Sequence, residues 1–256
     1  MPGARWFSDA ELNYAENLLA GPADKIAIIG KIEGKPATRM SYGQLSQAVA
    51  SFARALEKYG VRSGDRVAGY LPNIPETVVA HLGAAAIGAV WSSCSPDFGH
   101  QSVLARFQQI EPKILVCVDG YTYNGKPFST LETINSLEIQ SLEHIVVIPF
   151  LDLSFKKSRI KFPSVFAWNE FCVETPSFSY PSFPFNHPLS ILYSSGTTGL
   201  PKCIVHGAGG TLLQHHKEHA LHTNIGADDA VFYYTTCGWM MWNWLVSALA
   251  VEASVL

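Results

Sequence analysis

Between Ser41 and Ile148, short runs that are apolar throughout alternate with longer amphipathic stretches. Ser41-Tyr42-Gly43-Gln44 offers a capping box, and apolar residues follow at Leu45, Ala48, Val49, Phe52, Ala53 and Leu56 before a stop at Gly60. Ser63-Gly64-Asp65 turns the chain into a strand over Arg66 to Leu71, which Pro72 closes. Pro75 suits the first position of a helix running to Ile87, with Gly88 past its end and a strand from Ala89 to Ser93. A helix over Gln101 to Ile110, a strand over Ile114 to Val118, a weaker helix over Leu131 to Ile139 and a strand over Ile145 to Ile148 continue the cycle. Strands with no polar alternation have no face to give to water. They predict an α/β fold in which a mostly parallel sheet is layered with helices on both faces.

Upstream, Leu12 to Leu19 suits a short helix and Ile26 to Ile29 a short strand. The rhythm breaks between Phe150 and Pro188, where prolines, serines and phenylalanines accumulate. This is expected to be an irregular connector with one helix near Trp168 to Cys172, dividing the chain into 1–149, 150–188 and 189–256. Beyond it, Gly209-Gly210 opens a helix through His222, Val231 to Thr235 reads as a strand, and Trp239 to Val251 as a helix apolar nearly all round. Ala253-Ser254-Val255-Leu256 reads as the opening of another buried strand with no cap or turn after it, so the chain is expected to stop inside a domain.

The connector leads into LSILYSSGTTGLPKCIVH, Leu189 to His206. Two apolar runs flank Ser194-Ser195-Gly196-Thr197-Thr198-Gly199 and Lys202, which predicts a hairpin-like loop between strands. Two glycines let the backbone approach a ligand, four hydroxyls and the loop N–H groups supply donors, and Lys202 adds a charge. This is the chemistry of a polyphosphate cradle, although a Ser/Thr/Gly surface turn has the same composition. It is not the loop of kinases and GTPases. Counted from Gly196, the second glycine position holds Pro201, and Cys203 follows Lys202.

A formal net charge of −3 argues against nucleic acid or an anionic membrane as the main partner. Five cysteines without a C-x-x-C pair fit a reducing compartment, and a start lacking a basic-then-apolar signal pattern completes the expectation of a cytosolic protein. Cys203-x-x-His206 and the pair His215 and His219 invite a metal reading, but the helix reads HHKEH and no second half-site accompanies it. Solvated helix histidines are the expected alternative, with His206 close enough to the loop to help shape it. Gly238-Trp239-Met240-Met241-Trp242-Asn243-Trp244 is either a buried core helix or the wall of an apolar pocket for a short acyl chain.

YSSGTTGLPK resembles the phosphate-binding signature of the adenylate-forming superfamily, which includes acyl-CoA synthetases, luciferases and peptide-synthetase adenylation domains. With RWFSDAELNYAENLL, GDRVAGYLPN, GAVWSSCSPDFG, AGGTLLQHHKEHALH and YTTCGWMMWNW, the whole chain resembles the first large part of the N-terminal domain of acetoacetate–CoA ligases. The resemblance implies ATP-dependent activation of acetoacetate to an acyl-adenylate, then transfer to coenzyme A. It implies that Ser194, Ser195, Gly196, Thr197, Thr198, Gly199 and Lys202 hold the triphosphate with Mg2+, and that Trp239, Met240 and Met241 line the acyl pocket. The adenylation lysine, the acidic magnesium ligand and the small C-terminal domain of such enzymes have no counterpart among these residues, so the chain is expected to be inactive alone. An acetate- or propionate-type synthetase and a non-catalytic interaction fragment stand as alternatives.

Overall fold

The computed structural model describes residues 6–172, 174–175, 177–194 and 199–256. Near the start, β1 (Glu11–Leu12) leads into α1 (Tyr14–Leu18), whose Asn13 cap accepts from the Ala15 and Glu16 N–H groups. Then come β2 (Ile26–Gly30), β3 (Thr38–Ser41), α2 (Tyr42–Lys58), β4 (Arg66–Tyr70), α3 (Pro75–Ala86), β5 (Val90–Cys94), α4 (His100–Ile110) and β6 (Ile114–Val118). A hairpin of β7 (Gly120–Tyr123) and β8 (Lys126–Ser129) precedes α5 (Leu131–Ser136), β9 (His144–Ile148), β10 (Val165–Ala167) and α6 (Trp168–Phe171). After β11 (Phe183–Pro184) come β12 (Pro188–Ser194), β13 (Lys202–Gly207), α7 (Ala208–Lys217) and a π-turn, Glu218–His222. The last elements are β14 (Ala230–Val231), α8 (Met240–Val246), a 3-10 turn, Ser247–Val251, and β15 (Ser254–Val255).

The expected capping signals hold for α2 and α3. Ser41 Oγ accepts the Gln44 N–H at 3.2 Å while Gln44 Oε1 accepts the Ser41 N–H at 2.8 Å, so the capping box closes in both directions. Pro75 opens α3, and Gly88 ends it at φ +71°. A side chain at Gly88 would be strained in that conformation, and its Cβ would meet the Phe183 ring at 2.5 Å.

Seven strands form the main sheet in the order β10-β9-β6-β4-β5-β12-β13, parallel throughout except for β13, which runs antiparallel to β12. Successive residues point to opposite faces. Ile114, Val116 and Val118 pack with α1, α2 and α3, while Leu115 and Cys117 pack with Val103 and Phe107 of α4 and Ile134 of α5. Both faces are therefore covered, as the unbroken apolar strands require. A second sheet, β14-β15-β2-β3, carries the expected strand at the end of the sequence, with Val255 paired in parallel to Ile28. No helix among the described residues is long and apolar enough to cross a membrane.

Four expectations need correction. The strand expected over Val231 to Thr235 is confined to Ala230–Val231, which pair with Ser254 and Val255; a strand lasts only while a partner runs beside it, and Phe232 to Tyr234 are exposed. The helix expected to continue to Val251 tightens into a 3-10 turn at Ser247, and the one expected to reach His222 becomes a π-turn at Glu218. The connector contributes β10, parallel to β9, as an edge of the main sheet. The β7–β8 hairpin adds to the expected elements, turning at Asn124-Gly125, φ +50° and +73°, the dipeptide that favours such a turn.

His81 of α3 is fully buried, with the rings of Tyr14, Trp91 and Trp242 at centroid distances of 5.9, 6.0 and 5.6 Å. Neither ring nitrogen has a hydrogen-bond partner among the described residues. Burial holds its pKa down to about 3, so the folded protein keeps it neutral. The unfolded chain takes up the proton near the ordinary value of 6.5. Its contribution is therefore intact above pH 6.5 and falls by about 1.4 kcal/mol for each pH unit below it. Urea unfolding at pH 7 and pH 5 should show the wild type losing about 2 kcal/mol more than His81→Phe; equal losses would refute this account.

Candidate active site

The hairpin of β12 and β13 grows out of the sheet beside β5. Ser190 of β12 pairs with Trp91 of β5, and the same parallel register carried forward puts Ser194 beside Ser95, the first residue past β5. Across the hairpin, Ser194 faces Lys202, so the two ends of the expected phosphate loop meet. Gly199 has φ +106°, a conformation open to glycine. Lys202 is exposed. Ser195, Gly196, Thr197 and Thr198 lie outside the described residues.

The base of the loop is fixed from the α4 side. Ser92 Oγ donates to the Ile191 carbonyl at 2.8 Å and lies 3.2 Å from Tyr193 Oη. Tyr193 Oη donates to the Arg106 carbonyl at 3.1 Å, and the Arg106 guanidinium lies over the rings of Tyr193 and Phe98, 5.5 and 4.9 Å from their centroids. Burial raises the Tyr193 phenol above its ordinary value, so it stays a neutral donor.

The segment before α8 crosses the carboxyl ends of β4 and β5. Cys237 Sγ donates to the Leu71 carbonyl at 2.8 Å, and Ser93 Oγ donates to the Cys237 carbonyl at 2.6 Å. Burial pushes the Cys237 thiol up to about 12, which makes it a donor here and not a thiolate nucleophile. A Cβ on Gly238 would lie 3.5 Å from the Ser95 nitrogen, so the turn rests on the same residue that flanks Ser194. Trp242 Nε1 donates to Asn73 Oδ1 at 2.8 Å and ties the first turn of α8 to the loop after β4.

Of the expected acyl-pocket residues, Trp239 and Met240 are 59% and 45% exposed and Met241 is half-buried, while Trp242, Asn243 and Leu245 face the core. The stripe is thus divided, and its packed part is the buried core helix that was one of the two readings. Its first three residues present a surface, and the rest pack.

A cleft of about 400 Å³ opens at the same sheet edge between Pro72, Ser95, Asp97, Tyr121, Phe150 and Tyr234. It lies where the strand order turns back, since β5 follows β4 on one side and β6 lies on the other; such switch points leave a crevice outside the carboxyl ends of the strands. Its far wall is clamped by Asp119, a buried carboxylate that accepts the Phe150, Leu151 and Asp152 N–H groups at 2.7, 3.0 and 2.9 Å. Gly120 beside it is required, since a Cβ would lie 2.4 Å from the Phe128 carbonyl oxygen. An aspartate closing an apolar strand gives no sequence signal for this clamp, and it was missed.

The histidine expectations change. His206 pairs with Ser190, at the end of the hairpin away from the loop, and cannot shape it. Cys203 and His206, three apart on one strand, point to opposite faces. His215 and His219 are buried and not solvated, and both reach Ser247. Among the described residues, no three His, Cys, Asp or Glu side chains come together in a way that could hold a metal ion.

The family model described as AMP-binding enzyme matches residues 15–255. The chain belongs to that family. An acetoacetyl-CoA synthetase of Gallus gallus is 49% identical over 260 residues, taking in 98% of this chain and 39% of the relative. The acetoacetyl-coenzyme A synthetase of Rhizobium meliloti (strain 1021) is 44% identical over 256 residues, 100% of this chain and 39% of its own. The solved structure of acetoacetyl-CoA synthetase from Streptomyces lividans superposes with a TM-score of 0.94 at 45% identity, covering 100% of this chain and 39% of that one. The chain therefore spans about two-fifths of the length of these relatives. The mostly parallel, helix-layered sheet is that of the family.

Replacing Asp119 with Ala leaves three amides unpaired behind the cleft, at a cost of about 3 kcal/mol. Urea unfolding should show that loss, with the hydrogen exchange of residues 150–152 speeding up first; an unchanged midpoint would count against the clamp.

Proposed function

We propose that this chain carries the ATP- and carboxylate-binding surfaces of an acetoacetate–CoA ligase. The observation that supports it best is the meeting of two motifs at one place. The glycine- and hydroxyl-rich hairpin is joined to β5 through the Ser190–Trp91 pair, and Gly238, at the head of the Trp239-Met240-Met241 run, lies against the Ser95 nitrogen just past the end of the same strand. A phosphate cradle and an apolar wall on one sheet edge are what joining a nucleotide to a small carboxylate requires. All the relatives named above are acetoacetyl-CoA synthetases, which favours acetoacetate over acetate or propionate.

In this reading a carboxylate oxygen of acetoacetate attacks the α-phosphorus of ATP, and pyrophosphate leaves. The thiolate of coenzyme A then attacks the acyl carbon, and AMP leaves with the bonding electron pair. Ser194, Gly199 and Lys202 hold the charge that moves onto pyrophosphate, joined by Ser195, Gly196, Thr197 and Thr198 on the strength of the sequence motif. Magnesium enters with ATP, as membership of the AMP-binding family implies.

Two measurements on this chain test the binding half. Lys202→Ala removes a charge-assisted contact worth about 1.5–3 kcal/mol, so calorimetry should show ATP binding weakened about 10- to 100-fold. An unchanged affinity would overturn the cradle. The four methionines give four methyl signals in a methyl-labelled sample. Acetoacetate should shift those of Met240 and Met241 and leave Met40 in place. Shifts produced by acetate at lower concentration would transfer the proposal to a different short-chain acid.

A further inference from the structure

α8, which begins with Met240 and Met241, is held at its other end by two histidines from the π-turned helix beside it. His219 Nε2 lies 3.0 Å from the Trp244 carbonyl and 3.1 Å from Ser247 Oγ. A carbonyl only accepts, so Nε2 carries the proton, and the neutral ring leaves Nδ1 bare. That Nδ1 is buried with no partner among the described residues. Ser247 Oγ donates to the Trp244 carbonyl at 2.6 Å, which leaves its lone pairs for His215 Nδ1–H at 2.9 Å. The His219 ring packs on the Trp244 indole at 4.3 Å, and Trp244 Nε1 donates to Glu218 Oε2 at 3.0 Å. The π-turn places Glu218 and His219 so that both reach α8; such insertions re-aim side chains that a regular helix would direct elsewhere.

We propose that His215, His219 and Ser247 form a proton-sensitive clasp that positions α8 and, through it, the Trp239–Met241 surface. This rests on the reading of that surface as the acyl wall. The clasp closes only with both imidazoles neutral. A second proton on His219 would sit on Nδ1 as a buried donor facing no acceptor, and a second proton on His215 would bring a like charge next to it. Burial, then the neighbouring His219, push His215 down to about 4, and burial lowers His219 as well. Other titratable groups acting on the pair are Glu218 in the π-turn, His216 on α7 and His206 from β13. α8 and the 3-10 turn contain no titratable side chain, and Glu16 of α1 is exposed. The Glu218 carboxylate favours the charged imidazole but is outweighed by burial. Because the folded pKa values are depressed, the clasp is closed at pH 7 and opens as the pH falls from 6.5 towards 4. Its open population should rise up to about tenfold per pH unit for each histidine that must take up a proton.

Hydrogen exchange of residues 240–249 tests this in a His81→Phe background, which removes the buried imidazole that packs on Trp242, expressed as protection factors at pH 7 and pH 5 with α2 as the internal control. That parent should lose at least about tenfold in protection over the segment, and α2 should lose little; the variants below are built on it. His215→Gln with His219→Gln keeps amide donors without a titrating group and should flatten the response to within about twofold; His215→Gln alone should reduce its steepness. An equal loss in the variants, or a loss shared by α2, overturns the clasp. Met240 and Met241 methyl spectra with acetoacetate, recorded on the same samples, separate the two readings. Protection that titrates while acetoacetate moves no signal at any pH upholds the clasp and overturns the acyl wall. Protection that does not titrate while acetoacetate binds does the reverse.

Discussion

The parallel pairing of β12 with β5 is the joint on which the rest of the site depends. Ser190 beside Trp91 sets the register, and Ser92, donating to the Ile191 carbonyl, locks it from within a buried interface. A slip of one residue would turn Ile191 out of the core and carry Ser194 away from Ser95. The loop ends, the Gly238 turn and the mouth of the cleft would then no longer share an edge. Because β5 is buried on both faces, that register is specified by packing as well as by hydrogen bonds.

Around this joint the polar groups are arranged so that the cleft can be open while its walls stay fixed. Asp119 satisfies three amides of the segment after β9 with one carboxylate, and Ser93 and Cys237 exchange bonds with the backbone where two chain segments cross. Buried polar groups of this kind stabilise only when fully paired. His81 is an exception in the same core, an imidazole enclosed by aromatic rings with neither nitrogen partnered among the described residues. The chain tolerates it as a neutral ring, which makes the stability of the core a function of pH.

The histidines show how far composition misleads. Four of them between His215 and His222 read as a solvated cluster, yet α7 turns His215 and His219 inward and leaves His216 and His222 exposed. The spacing announces that His215 and His219 share a helix face. It says nothing about which face meets α8, because α8 lies more than twenty residues on and the 3-10 turn that follows it is the part that packs on α1 and α7.

Local chemistry fixed the helix ends, the apolar strands and the hairpin that holds the phosphate motif, because caps, glycines and apolar periodicity act over a few residues. It also carried the Asn124-Gly125 hairpin, which was there to be read. What needed the tertiary structure were the contacts between distant segments: β10 joining an edge, Asp119 closing on residues 150–152, His206 at the wrong end of its strand to reach the loop, and Gly238 resting on Ser95. None of these has a local signal, since each is decided by which strands lie side by side. The motif residues were thus determined by the sequence alone, and their convergence on one sheet edge by the order of the strands.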